Sequence, residues 1–231
     1  MDVPLRAVSL DLDNTLWDTP PVLRRAEAVL HEWLSAHLPR VASRCDATAL
    51  LQLRLAVARE RPERAHDLSY VRTEALRRAA RAAGYDDAAA ERAFGVFLTA
   101  RNEVVPFAEV PGALVRLAAR VPLYALSNGN ACVWRVGIGR HFRAAIDAAE
   151  AGAAKPDARI YARLLEVAGV PARAVLHVGD DAHADVEGAR AAGLRTAWMN
   201  RARAPWPEAL PPPDHEVADL DALVRVVERL R

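Results

Sequence analysis

Asp11 and Asp13 stand two residues apart where an apolar run, residues 5–10, gives way to Asp11-Leu12-Asp13-Asn14-Thr15. Strand side chains alternate between faces, but at a strand's end the backbone turns, and both carboxylates can then reach one small space. Like charges held that close repel, and a bound cation is the usual remedy. An open α/β sheet binds its ligands beyond the carboxyl ends of its strands, which is where this pair would sit. Taken alone the pattern is equally an acidic turn or a cap on the next helix.

Three further segments weigh against that reading. Ser127 and Asn128, followed by Gly129, close the apolar run 122–126, and a small hydroxyl beside glycine-containing backbone suits an oxyanion. Lys155, the chain's single lysine, precedes Pro156, which fits the first turn of a helix and leaves the ammonium free to swing toward the sheet edge. The run 177–185 brings Asp180 to a strand end after Gly179 and returns Asp185 on the first turn of the next helix. Hard oxygen ligands with no thiolate or paired histidine suggest magnesium. His177 reads as packed within its strand and His183 as facing solvent.

The elements that must position these groups are written in the apolar periodicity. Residues 20–102 are helical in pattern, with Val22, Ala26, Val29, Leu30, Trp33 and Leu34 at three-to-four spacing, and make a block of about four helices. One helix is predicted over 68–83 and stopped by Gly84, and another over 88–101. Beyond Gly112 short apolar runs alternate with helices: strands are predicted at 122–126, 144–148, 174–178 and 195–199, and helices at 157–168, 184–192 and 220–230. That alternation means βαβ units and a mainly parallel sheet. A crossover needs about a dozen residues, whereas about 110 separate the first strand from the second. The excess is an insertion directly after Asp11 and Asp13, expected to hang over them as a lid.

With 231 residues, 52% of them hydrophobic, and a net charge of +1, the chain can bury a full core and support a second small domain, and no basic patch dominates it, so nothing calls for nucleic acid or an anionic membrane. No apolar run approaches the roughly 20 residues of a membrane span, and the start does not read as a signal peptide. Cys45 and Cys132 lack metal-ligand spacing, so reduced thiols and a cytoplasmic location are expected. The proline-rich stretch 205–213 reads as a surface loop.

The ordered set, DxDxT, strand-Ser-Asn, Lys-Pro and GDxxxxD, resembles the four signature motifs of the haloacid dehalogenase superfamily over essentially the whole chain. The position of the insertion resembles the helical-cap (C1) subgroup. The resemblance implies an α/β fold with a Rossmann-like parallel sheet core, residues 1–17 and 105–231, and an inserted all-helical cap domain, residues 18–104. It further implies a phosphoric monoester hydrolase in which Asp11 attacks phosphorus and Asp13 is acid and base. Ser127, Asn128 and Lys155 would bind the phosphoryl group. Mg2+ would be held by Asp11, Asp13 and Asp180, with Asp185 as a further ligand or water anchor. Asp181 is open between supporting the loop and standing exposed.

Dehalogenating members lack the second carboxylate of the first motif, which Asp13 supplies here. Sugar phosphomutases share it and stay open as an alternative, as does a non-catalytic ligand-binding relative. The stretches 18–24, 53–57, His66-Asp67 with Arg72, 127–131 and 177–181 are similar to bacterial phosphatases acting on flavin mononucleotide and on 5-amino-6-(5-phosphoribitylamino)uracil in riboflavin synthesis. The implied partner is a small phosphate ester, with Arg24, Arg54, His66, Tyr70 and Arg72 as candidate contacts. Monomer and homodimer both remain open.

Overall fold

The computed structural model describes residues 3–230, and the chain divides into two compact units. One runs to Asp18 and resumes at Val105; the other is Thr19–Val104. In chain order β1 (Ala7–Leu10) is followed by the helices of the second unit: α1 (Thr19–His37), α2 (Pro39–Ala42), α3 (Ala47–Glu60), α4 (Leu68–Ala82) and α5 (Asp87–Arg101). The first unit then continues through α6 (Val110–Ala118), β2 (Leu123–Ser127), α7 (Val133–Val136), β3 (Phe142–Asp147), α8 (Ala148–Ala151), α9 (Ala158–Ala168) and β4 (Val175–Gly179). A π-helical turn, Ala182–Glu187, leads into α10 (Gly188–Ala191), β5 (Arg195–Met199), β6 (His215–Val217) and α11 (Leu220–Leu230).

The six strands are all parallel, in the order β3-β2-β1-β4-β5-β6. This is the doubly wound order of a Rossmann-like α/β sheet, and its direction of winding reverses between β1 and β4. Every residue of β1, β2 and β4 is buried, as a sheet covered on both faces requires. On one side Ile160, Tyr161 and Leu164 of α9 pack with Ala7, Leu126 and Val175, while α6 packs with α11. β1 and β4 pair with Leu10 opposite Val178, so Asp11 and Asp180 leave the sheet side by side, and the Asp11 amide donates to the Val178 carbonyl at 2.8 Å.

Several elements differ from the sequence reading: α2, α6, α7 and α8 were not foreseen, and the helix expected over 184–192 is a π-helical turn followed by α10. Pro156 lies two residues before α9 rather than within its first turn, because Asp157 is the cap and accepts from the Arg159 amide at 2.9 Å. β6 was not foreseen: three residues at the sheet edge, one of them buried, carry too little apolar pattern to register.

Within the second unit α1 packs on α5, α5 on α4 and α4 on α3. Its core joins Ala26, Leu30 and Leu34 with Leu76, Ala80, Ala90, Ala93 and Phe97, the alanines allowing close helix approach. Asp46, Asp67 and Asp86 cap α3, α4 and α5 by accepting the amides of Ala49, Tyr70 and Ala89. Gly84, at φ +74°, ends α4 in a conformation that a side chain would strain. Arg54 and Arg72, read from sequence as substrate contacts, both donate to Glu27 Oε1, at 2.7 and 2.8 Å, and the Arg72 guanidinium lies 3.5 Å from the centre of the Phe97 ring. Tyr70 lies under the Arg64 guanidinium. No helix among the described residues is long and apolar enough to cross a membrane.

Candidate active site

At the switch point of the sheet, carboxylate oxygens of Asp11, Asp180 and Asp185 lie within 4.8 Å of one another. Lys155 Nζ is bound among them, 2.6 Å from Asp11 Oδ1, 2.6 Å from Asp185 Oδ1 and 2.8 Å from the Leu126 carbonyl. Its side chain is only 2% exposed, so the ammonium does not swing freely at the sheet edge as its place in the sequence suggested. Three acceptors use its three hydrogens, and each comes from a different strand end or the turn beyond it.

Asn128 explains how Lys155 is held. Its side-chain oxygen accepts the Lys155 amide at 2.7 Å and its side-chain nitrogen donates to the Lys155 carbonyl at 3.0 Å. The amide group of Asn128 is thereby committed to the lysine backbone. Ser127 is buried, and its Oγ accepts the Gly129 amide at 3.0 Å, which fixes the oxygen and leaves the hydroxyl hydrogen to donate.

Asp185 is gripped on both oxygens. Oδ1 accepts from Lys155 and lies 3.1 Å from His177 Nε2, while Oδ2 accepts the Asp181 amide at 3.0 Å. Burial holds His177 below its ordinary pKa despite Asp185, so the ring is neutral; it donates through Nε2 to Asp185 and accepts the Ser9 hydroxyl at Nδ1, 2.6 Å away. Asp181 supports the loop, since its carboxylate accepts the amides of His183 and Ala184 at 2.8 and 2.7 Å. Gly179 is required where these parts meet: a Cβ there would lie 2.1 Å from Asp185 Cγ. His183 faces solvent, as its position in the sequence suggested.

Three carboxylates against one ammonium leave the cluster short of positive charge. Burial pushes Asp11 well above the usual carboxylate range, opposed by Lys155 and reinforced by Asp185 and Asp180. Burial, with Asp185 beside it, likewise raises Asp180 to about 6. Asp185 is also buried, but Lys155 and His177 outweigh burial and hold it below its ordinary value. For Lys155, desolvation is overcome by Asp11 and Asp185, and its pKa is raised. A divalent cation with hard oxygen preference fits this donor set, because it would supply the missing charge where two carboxylates resist ionising.

Asp13 lies at the rim, where Trp17 Nε1 donates to its Oδ1 at 2.9 Å. The Trp198 indole donates to the Asp180 carbonyl at 2.8 Å. Ser9, His177, Trp17 and Trp198 were not singled out as site residues from sequence. Ser9 and His177 had a signal: each is a lone polar residue in an apolar strand, and the two are partners in the β1–β4 register.

These features define the class, a doubly wound α/β protein with an acidic, cation-competent centre at its switch point and a helical insertion after its first strand. The chain belongs to the haloacid dehalogenase-like hydrolase family, which matches residues 5–193. It is 32% identical over 199 residues to the 5-amino-6-(5-phospho-D-ribitylamino)uracil phosphatase YigB of Escherichia coli K12, covering 84% of this chain and 83% of that protein. It is 29% identical over 230 residues to the (S)-2-haloacid dehalogenase of Pseudomonas sp. YL, covering 97% and 95%. Among solved structures it is similar to a 2-haloacid dehalogenase from Pseudomonas syringae pv. Tomato DC3000, with 36% identity and a TM-score of 0.93 over 98% of this chain and 100% of that one.

Proposed function

We propose that this hydrolase is a magnesium-dependent phosphomonoesterase that works through an aspartyl-phosphate intermediate on Asp11. The supporting observation is the largely buried cluster of Asp11, Asp180 and Asp185 around Lys155, short of positive charge, with Asp13 two residues beyond Asp11. Asp11 attacks phosphorus, and the bond to the ester oxygen breaks as that oxygen takes the Asp13 proton. Water then attacks the acyl phosphate and gives its proton to the Asp13 carboxylate, releasing phosphate and restoring Asp11. The Ser127 hydroxyl donates to a phosphoryl oxygen, the Lys155 ammonium offsets the negative charge beside it, and Asn128 keeps Lys155 in place. Asp11, Asp180 and the Asp13 carbonyl would hold Mg2+, which when bound supplies Lewis-acid charge stabilisation. Asp185, engaged on both oxygens by Lys155, His177 and the Asp181 amide, anchors Lys155.

The name of the Escherichia coli relative supports 5-amino-6-(5-phospho-D-ribitylamino)uracil as substrate, and the resemblance of stretches 18–24, 53–57 and 177–181 supports flavin mononucleotide beside it. A second reading, release of halide from a 2-haloacid, is favoured by the similarity to dehalogenases. Halide leaves as a stable anion and needs no proton, so that chemistry would give Asp13 no work as an acid.

Phosphate release from flavin mononucleotide and p-nitrophenyl phosphate, beside halide release from a 2-haloacid, separates the two readings. Magnesium-dependent phosphate release is expected, reduced about a thousandfold or more by EDTA or by Asp11→Asn. Halide release without phosphate release, or phosphate release indifferent to Asp11→Asn, would overturn the phosphatase reading.

A further inference from the structure

Asp180 lies one residue past β4, where the ladder to β5 has ended with Gly179 opposite Trp198. A carbonyl just beyond a ladder still needs a donor. Here the donor is a side chain, because the Trp198 indole N–H reaches the Asp180 carbonyl at 2.8 Å. The other end of the same peptide group is engaged as well: the Asp181 amide donates to Asp185 Oδ2 at 3.0 Å. A peptide group is planar, so these two bonds hold one rigid plate at both ends. Trp198 is 6% exposed, and its ring meets that of Trp206 edge to face, with centroids 4.9 Å apart. The Trp206 indole in turn donates to the Leu210 carbonyl at 2.9 Å, so the proline-rich stretch 205–213 braces the ring that holds Asp180.

Turning that plate would change the backbone angles of both Asp180 and Asp181 and draw the Asp181 amide off Asp185. Asp185 would then lose the partner of one oxygen while the other still holds Lys155. We propose that Trp198 is a positioning residue for the cation centre: by clamping the Asp180–Asp181 peptide it fixes two carboxylates of the cluster, Asp180 through the backbone and Asp185 through the Asp181 amide. The inference rests on the reading of this cluster as a magnesium site. An indole suits the place because it is a donor only and carries no charge. A lysine or arginine donor would repel the ion, and a hydroxyl or amide side chain would bring an acceptor of its own.

A buried carbonyl deprived of its donor costs stability wherever it lies, so the test must report on the centre rather than on folding. Calorimetric titration of the folded protein with Mg2+ at neutral pH does so. A donor that served packing alone would lower the unfolding temperature and leave the dissociation constant for the ion unchanged. Replacing Trp198 by β-(3-benzothienyl)alanine keeps the bicyclic shape and exchanges only the N–H for sulfur, so it remains informative even if Trp198→Phe does not fold. The dissociation constant for Mg2+ is expected to rise about tenfold or more in either variant, whereas the same analogue at Trp206, whose N–H serves the proline-rich stretch, should change it by less than about twofold. A change at Trp198 no greater than that at Trp206, including no change at either, would overturn the proposal while leaving the magnesium-dependent reading intact. Absence of Mg2+ binding by the unaltered protein would overturn both.

Discussion

Asp11, Asp180 and Asp185 share one ammonium, and the resulting shortage of positive charge is the chemical character of the site. With burial and Asp185 raising Asp180 to about 6, the metal-free protein carries a proton there at pH 5.5 that a coordinating carboxylate cannot keep. Binding of Mg2+ at pH 5.5 should therefore release about one proton or more per ion, and the release should shrink as pH rises past 6. Calorimetry in buffers of different ionisation enthalpy measures that number; binding without proton release at pH 5.5 would contradict this account of the cluster. At this scale the sequence was informative wherever residue type and spacing carry chemistry, as at Asp11, Lys155 and Asp180. It was silent on Trp17 because an indole beside a leucine looks like core, and its hydrogen bond depends on the turn after Asp13. Asn128 was legible as part of a motif, but its grip on the Lys155 backbone depends on two chain segments 27 positions apart coming together.

The elements were legible where one physical pattern dominates a segment. Apolar runs marked the strands that are buried on both faces, and Gly84 marked the end of α4, whereas the caps at Asp46, Asp67 and Asp86 emerged only in the structure. The pairing of Glu27 with Arg54 and Arg72 was not legible, since three charged residues on three helices each look solvated in isolation. Together they tie α1, α3 and α4, with Phe97 of α5 beneath Arg72. Burial alone would raise the Glu27 pKa, but Arg72 and Arg54 outweigh it and hold it below the ordinary value. Burial pulls Arg72 down to about 10 against the pull of Glu27, so it stays charged at neutral pH. Glu27→Ala leaves two guanidiniums facing each other and should destabilise the protein by about 2 kcal/mol, a figure reduced because Glu27 is 26% exposed. A group with a depressed folded pKa contributes stability that is present above its unfolded value, about 4.3, and lost as pH falls through the folded value. The difference between wild type and Glu27→Ala in urea unfolding should accordingly be full at pH 7 and narrow below pH about 4. An equal difference at both pH values would show that packing, not charge, is what Glu27 contributes.

For the whole molecule, the insertion was legible because a crossover of about 110 residues far exceeds what a parallel pair needs. How cleanly it inserts depends on backbone contacts that no sequence pattern announces. Trp17 and Pro106 are bridge partners and the Phe107 amide donates to the Leu16 carbonyl at 3.0 Å, so the chain leaves and re-enters the first unit through neighbouring backbone. Each unit also has a core of its own, one around Leu30, Leu34, Leu76 and Phe97, the other around Leu126, Ile160, Leu164 and Val175. Domain insertions with adjacent ends tolerate removal, because the parent unit loses no strand and gains only a short loop to close. A chain in which a short Gly-Ser linker replaces Thr19–Val104 should therefore unfold cooperatively. The carboxylate cluster lies wholly within the part retained, so Mg2+ at about one hundred times its dissociation constant should stabilise this shortened chain by about 2.7 kcal/mol, as it should the full one. Thermal unfolding with and without Mg2+ provides the comparison. A shortened chain that folds but gains nothing from the ion would mean that residues of the insertion are needed to assemble the centre, and that the first unit does not own its metal site.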